Sequence, residues 1–468
     1  MPLPPPGERR THYRWVVCAL LFVATTIVYV DRQVFGILGP RLTAEFGWSE
    51  TNFSFIMSAF TLSYAVGYSL VGRIMDAIGE RKGFLLVFGV WSVAEIAHCL
   101  VNPLVYRGLP WLNAAFAGTF LGSLTPALLS VAGFSLARFS LGLVEGGHFP
   151  GAIKTVGQWN PKRERALATG IFNSGSNVGA IVAIISVPLI VTTLHWNWGA
   201  AFCLTGSLSL VWVVLWWLLY RRPENHPRVS PAELAYIRSD PADPPVAIPW
   251  RSLLGYRQTW AFVFAMFLAS PVWWFYIGWA PKFLVNNYGI TNEKEMTWPL
   301  IAIYLMADLG SIGGGALSSW LIRRGATINV ARKTAFLTCA CSALPVMLVP
   351  RVNNMWLAVV LIGIAAAAHA GFSANLYTIV SDTIPRKAVS SVVGLGGTAG
   401  GIGGVLFAQL IGCVLDWSKA VTGEKDYLIP FIIAGSVYLI ATIIIHLLLP
   451  RLEPMTFDTA EPPTPNHG

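Results

Sequence analysis

Charge is what this chain has little of. Only 12% of its 468 residues are Asp, Glu, Lys or Arg, whereas a soluble protein carries about 25%. The deficit excludes an ordinary water-soluble enzyme. Cysteine is sparse too: Cys18, Cys99, Cys203, Cys339, Cys341 and Cys413 all lie within or at the ends of apolar stretches. No CxxC pair is present, so a zinc site, a redox dithiol and a disulfide scaffold are set aside, and the six read as small core residues. HExxH, GxSxG and Cys/His clusters are also missing, so no enzyme, metal site or cofactor is expected.

Long uncharged runs take the place of charge: Phe53 to Gly72, Gly108 to Ala137, Ala166 to Tyr220, Gln258 to Pro281, Val352 to Ser381, Ala388 to Leu415 and Tyr427 to Pro450. Several reach the roughly 20 residues that cross a bilayer as a helix. They lack the alternation of a barrel strand, and lipid offers a backbone amide no partner, so helices are the expected spanning form. Twelve are predicted, at 14–38, 51–72, 83–101, 131–153, 166–193, 198–220, 259–285, 297–322, 333–350, 354–379, 388–415 and 428–450. The polar, proline-rich start and the charges Asp31 and Arg32 in the first run identify a retained helix, not a signal peptide.

Basic residues test that count, because Lys and Arg gather on cytoplasmic loops. With both termini cytoplasmic, 23 of the 32 fall on the inner side and 7 on the outer, while Arg32 and Arg138 lie within the membrane. The net charge of +9 is then an orientation signal toward anionic lipid, and no nucleic-acid partner is needed. Residues 102–130 are apolar but carry Pro103, Pro110 and Pro126. They are expected to form an outer-side insertion on or dipping into the membrane, since a thirteenth helix would invert every later loop. The polar stretch 221–258 is a cytoplasmic linker between six-helix bundles at 1–220 and 259–468, an arrangement suited to a transporter with its site at the midplane.

Gly72-Arg-Ile-Met-Asp76-Ala-Ile-Gly79-Glu-Arg81-Lys82 follows the second span. It resembles the G-x-x-x-D-x-x-G-R-K/R signature of the major facilitator superfamily, with Glu80 where a basic residue is usual. Gly72 allows close helix approach, Gly79 the turn, and Asp76 with Arg81 or Lys82 the charge pairs of an inner-gate latch; a solvated loop cluster is the competing reading. A degenerate echo runs from Gly314-Gly315 to Arg323-Arg324-Gly325. Tyr29-Val-Asp31-Arg32, Arg138-Phe-Ser-Leu-Gly-Leu-Val-Glu145-Gly-Gly-His148-Phe-Pro, and the stretches 161–180, 271–284, 307–325 and 371–404 narrow the resemblance to the anion:cation symporter family, hexuronate transporter branch. It departs at 102–130, at Ser270, where the branch tends to have Asp, and at Ala370, where Gln is common.

Charged residues inside the spans are functional by default. Arg138 and Glu145, two helical turns apart, share one face roughly 10 Å apart along the axis. Arg32 is expected to clamp a carboxylate and Arg138 to add a second positive charge, while Asp31 and Glu145 carry protons. Structural ion pairs are the alternative. The resemblance implies the same roles and adds Tyr29 and Tyr64 as hydroxyl contacts to substrate. Asn173, Ser176, Asn177, Ser373, Asn375 and Thr398 are candidates for sugar hydroxyls, or else helix-gluing groups. Trp273, Trp274, Tyr276 and Trp279 are candidate stacking or gating aromatics, with Trp279 placed at the gate. Glu95 with His98 could extend a proton path, but buried, satisfied polar residues are the favoured reading; Asp308 would orient a neighbouring helix or the gate, and His369 stays open.

The resemblance thus implies an all-α major facilitator fold and a monomeric symporter in the bacterial inner membrane. It would import a hexuronate such as glucuronate or galacturonate with protons; another organic anion such as galactonate or glucarate, or an uncoupled facilitator, is the alternative.

Overall fold

The computed structural model describes residues 10–48, 50–119, 123–240, 250–278, 283–284, 287–289, 293–423 and 426–455. Among them every regular element is helical, and 12 helices are long and apolar enough to cross a membrane. They are α1 (Tyr13–Phe46), α2 (Glu50–Ile78), α3 (Glu80–Ala115), α4 (Pro126–Trp159), α5 (Lys162–Thr193) and α6 (Gly199–Leu219) in the first bundle. The second holds α7 (Arg257–Gly278), α8 (Glu293–Arg323), α9 (Ile328–Arg351), α10 (Met355–Thr383), α11 (Val389–Thr422) and α12 (Leu428–Leu448). Large apolar side chains such as Val93, Leu136 and Leu447 face outward, where only lipid offers them a favourable environment.

The segment 102–130 corrects the expectation. It is not a separate insertion dipping into the membrane: up to Ala115 it continues α3, which at 36 residues is about 54 Å long and overshoots a ~30 Å hydrocarbon layer. Pro103 does not end the helix, because the turn Leu104–Gly108 widens to i→i+5 bonding, a standard way to absorb a disrupted ladder. Pro110 stands where α-helical bonding resumes after that wide turn, and Pro126 occupies the first turn of α4, where a missing N–H leaves nothing unsatisfied. Thr125 caps the start of α4, accepting from Leu128 N at 3.2 Å.

Cysteine is the second correction. Cys99 on α3 and Cys203 on α6 are paired, Cα to Cα 6.4 Å, because these helices pack side by side and set both at one level. Cys18 and Cys339 are buried as expected, whereas Cys341 and Cys413 are exposed.

Within the first bundle α1 packs on α5, α2 on α4 and α3 on α6; across the bundles α5 meets α8 and α2 meets α11. Glycine makes both crossings close. A Cβ on Gly315 would overlap the Ala166 carbonyl, and one on Gly72 would stand 2.6 Å from the Ser390 carbonyl oxygen. Helix α4 is interrupted at Gly146-Gly147, where Pro150 cannot donate to the Gly146 carbonyl and the two glycines let α2 approach.

The linker helix Pro231–Ile237 is bound to the first bundle. His12 gives α1 no side-chain cap; Glu233 of the linker does so instead, its carboxylate accepting from Tyr13 N at 3.0 Å and Arg14 N at 3.2 Å. Burial pushes the Glu233 carboxyl up, but the hydrogen bonds from Thr11, the two amides and Arg14 outweigh it and hold the group below its ordinary value.

Candidate functional site

A cavity of about 730 Å³ lies between the bundles. Tyr29 and Arg32 of α1, Phe60, Tyr64 and Tyr68 of α2, Asn173, Ser176 and Asn177 of α5 line one wall. Ser270, Trp273 and Trp274 of α7, His369, Ala370, Ser373 and Tyr377 of α10, and Gly397, Gly400, Gly401 and Gly404 of α11 line the other. Phe149 and Tyr377 stack at 5.7 Å, and the Tyr64 and Tyr68 hydroxyls meet at 3.1 Å. His369 stacks on Trp273 at 5.2 Å and meets the Tyr438 hydroxyl at 2.8 Å.

Arg32 is the cation on the cavity wall. Its Nε donates to Glu145 Oε1 at 3.0 Å, and Nη2 reaches the same oxygen. Tyr29 and Tyr64 hold the guanidinium at 4.7 and 4.8 Å from their ring centroids. A cation half engaged by one carboxylate oxygen and flanked by aromatic faces can exchange that oxygen for an incoming carboxylate. The other oxygen, Glu145 Oε2, has no hydrogen bond among the described residues.

Arg138 does not reach the cavity. Its guanidinium packs on Phe35 at 4.8 Å and Phe60 at 4.5 Å, and it is 1% exposed. The turn spacing assigns Arg138 and Glu145 to one face of α4, yet Glu145 bonds Arg32 of α1. Asp31 is likewise sealed, its Oδ2 accepting from Ser209 Oγ at 3.4 Å.

Two other candidate contacts turn away from the cavity. Asn375 is fully buried and donates to the carbonyls of Gly314 and Gly371, both at 2.9 Å. Thr398 bonds Ser69 Oγ at 2.8 Å and donates to Ala65 O at 2.9 Å, joining α11 to α2 beside a recess on the flank. Asn173 and Asn177 line the cavity but also cross the bundles, donating to Ser311 Oγ at 3.2 Å and Asp308 Oδ1 at 2.7 Å. Tyr276 is buried in the second bundle, and Trp279 lies outside the described residues.

Asp76 ties α2 to the start of α11, at the end of the bundles where α1 begins and α12 finishes, by a different chemistry from the one expected. It accepts from Ser391 N at 2.7 Å, Ser391 Oγ at 2.6 Å and Ser390 N at 3.3 Å. These are amides and a hydroxyl at the start of α11, where a carboxylate also meets the positive end of the helix dipole. Its cation is Lys154, at 3.0 Å, which also pairs with Glu80 at 3.2 Å. Arg81 instead donates to Trp217 O at 2.9 Å, and Lys82 forms no ion pair among the described residues, being turned outward. A second latch crosses the bundles where Arg165 meets Asp382 at 3.2 Å, with Arg332 on the same carboxylate at 3.0 Å. Sequence reasoning counted Lys154, Arg165 and Arg332 only as orienting charges and did not single out Asp382.

The Major Facilitator Superfamily profile matches residues 21–408. The chain is 29% identical over 411 residues to the hexuronate transporter of Escherichia coli strain K12, covering 86% of this chain and 88% of that protein. It is 29% identical over 309 residues to the galacturonate transporter of Dickeya chrysanthemi, covering 64% and 80%. To the probable galactarate/D-glucarate transporter GudP of E. coli K12 it is 26% identical over 440 residues, covering 90% and 91%. Among solved structures, the proton:xylose symporter XylE aligns with a TM-score of 0.69 at 12% identity over 94% of this chain and 97% of that one. The E. coli fucose:proton symporter FucP aligns at 0.62 and 14%, over 93% and 99%. These two speak for the fold alone.

Proposed function

We infer, for a chain that belongs to the Major Facilitator Superfamily, that it imports a sugar-acid anion together with protons by alternating access. Twelve apolar helices and bacterial transporter relatives make it a multi-pass protein of the inner membrane. The relatives' names support a sugar acid as the class of cargo, and a hexuronate such as glucuronate or galacturonate is our specific reading.

The observation that carries the reading is the Arg32–Glu145 pair at the cavity wall. A cargo carboxylate competes with Glu145 for one guanidinium, and the displaced Glu145, buried and deprived of its cation, takes a proton. Anion and proton therefore favour each other's binding, which is coupling. Tyr29 and Tyr64 frame the clamp, while Asn173, Ser176 and Ser373 offer hydrogen bonds to cargo hydroxyls. Asp31 is the second proton carrier, acting behind the clamp through Arg138.

Purified protein in liposomes tests this directly. An inward proton gradient should concentrate labelled glucuronate, and equilibration without accumulation sinks the coupling. Competition by hexuronates, hexonates and aldarates ranks the cargo; preference for an aldarate would replace the hexuronate reading and leave the coupling intact.

A further inference from the structure

Neither cavity nor gate uses Glu95, although it lies in a sealed chamber of ionisable groups in the first bundle. Asp31 of α1 and Glu95 and His98 of α3 are 0% exposed, and Arg138 of α4 is 1% exposed. Glu95 Oε1 accepts from Thr205 Oγ1 at 3.5 Å, and Asp31 Oδ2 accepts from Ser209 Oγ at 3.4 Å. Thr205 and Ser209, one turn apart on α6, thus hold two carboxyls brought in by different helices. His98 turns Nδ1 to the backbone oxygen of Glu95 at 3.1 Å, lies 3.8 Å from its carboxyl and stacks on Phe202. Phe60 lies between this chamber and the cavity, 4.5 Å from Arg138 and 5.6 Å from Arg32.

Several buried atoms here lack hydrogen bonds among the described residues: Asp31 Oδ1, Glu95 Oε2, His98 Nε2, and Arg138 Nε and Nη1. Charge counting explains what they await. Arg32 is engaged by Glu145, which leaves Arg138 as the buried cation to balance Asp31 and Glu95. A carboxylate with no counter-charge in a dry site is disfavoured by several kcal/mol, and one proton shared between the two acids balances the chamber.

We propose that Asp31 and Glu95 form a single shared proton site, held by Thr205 and Ser209 of α6 and counter-charged by Arg138. The inference rests on the proton-coupled reading above and adds Glu95 to it. When a cargo carboxylate takes Arg32, the displaced Glu145 draws its proton from this shared site, along the face of α4 that it shares with Arg138. The carboxyl pair, left with two negative charges against Arg138, then takes up one further proton. Either acid alone still presents one titratable carboxyl to Arg138, so coupling survives the loss of one and not of both.

The experiment uses the full-length protein in liposomes with labelled glucuronate, reading accumulation under a proton gradient and, separately, counterflow. Asp31→Asn and Glu95→Gln should each keep the accumulation ratio above unity, while the double variant falls to unity and still exchanges. Loss of accumulation in Asp31→Asn with Glu95→Gln unaffected, or accumulation by the double variant, overturns the shared site. A wild type that exchanges but never accumulates overturns the coupling reading itself. Infrared spectroscopy of the purified protein, which needs no cargo, should show a protonated-carboxyl band at neutral pH that Glu95→Gln shifts or removes. A band untouched by that substitution overturns the proposal as well.

Discussion

Removing the Asp76 carboxylate should unlock the closed end of the transporter. Asp76 accepts three hydrogen bonds from the start of α11, and a hydrogen bond to a charged group contributes about 1.5–3 kcal/mol net. The 3.3 Å contact is the weakest of the three, and the partners hydrate once the end opens. A figure of ~3–5 kcal/mol therefore describes the latch. Its ion pair with Lys154 lies inside the first bundle and is kept in both states, so it drops out of the difference.

At 1.4 kcal/mol per tenfold, Asp76→Ala shifts the ratio of closed to open by about a hundredfold or more. Asp76→Asn, which keeps one acceptor oxygen, falls between. The assay is labelling of a cysteine at Thr61, which lines the cavity, by an impermeant maleimide from the side opposite the termini, with Cys341 and Cys413 replaced by serine. Closing the labelled side as the other opens should slow the reaction in Asp76→Ala. An unchanged labelling rate in that variant would refute the assignment of the latch to the α11 terminus.

Three further outcomes are expected. Arg32→Ala should weaken cargo binding by at least about tenfold in a direct binding assay, since it removes charge-assisted hydrogen bonds, whereas Glu145→Gln should abolish accumulation and keep counterflow. Gly315→Ala places a Cβ against the Ala166 carbonyl, while Gly313→Ala meets nothing within 4 Å; transport should fall in the first and persist in the second, and equal loss in both would contradict the packing account. The lowered Glu233 carboxyl makes linker docking strongest above its unfolded value of about 4.3. The contribution is lost as pH falls through the folded value, so limited proteolysis of the linker should speed up in acid, and Glu233→Gln should flatten that dependence.

Most of the architecture was legible because two independent signals agreed: apolar runs set the helix count, and the sorting of Lys and Arg held only for that count. The stretch after residue 101 was read as a separate insertion because a thirteenth span would have inverted every later loop and its prolines argued against one. Whether Pro103 breaks a helix depends on the backbone widening around it, a local rearrangement with no signature in residue type. In the cavity, Arg32 was within reach of sequence reasoning, because a charge in an apolar span calls for a cavity or a partner, whereas Tyr29 and Tyr64 followed only from the family resemblance. Partner choice was not. Spacing on one helix suggested Arg138 for Glu145, and proximity in sequence suggested Arg81 for Asp76, yet both carboxylates are met by residues more than 70 positions away. Helix crossings made those choices, and a single sequence does not encode crossings as a pattern.

The gate pairs share a property that bears on how the protein can move at all. Opening breaks the bonds of Asp76 to α11 and of Arg165 to Asp382, but leaves no buried charge alone. Asp76 keeps Lys154 in its own bundle, Asp382 keeps Arg332 in its own, and Arg165 keeps the Asn160 carbonyl at 3.0 Å and Asp240 at 3.3 Å. Stranding one such charge would cost about 3–5 kcal/mol, enough to freeze the closed end. Because each bundle retains its own counter-charges, the cross-bundle bonds can be traded for water, and the balance between the two states stays small enough for a cargo in the cavity to tip it.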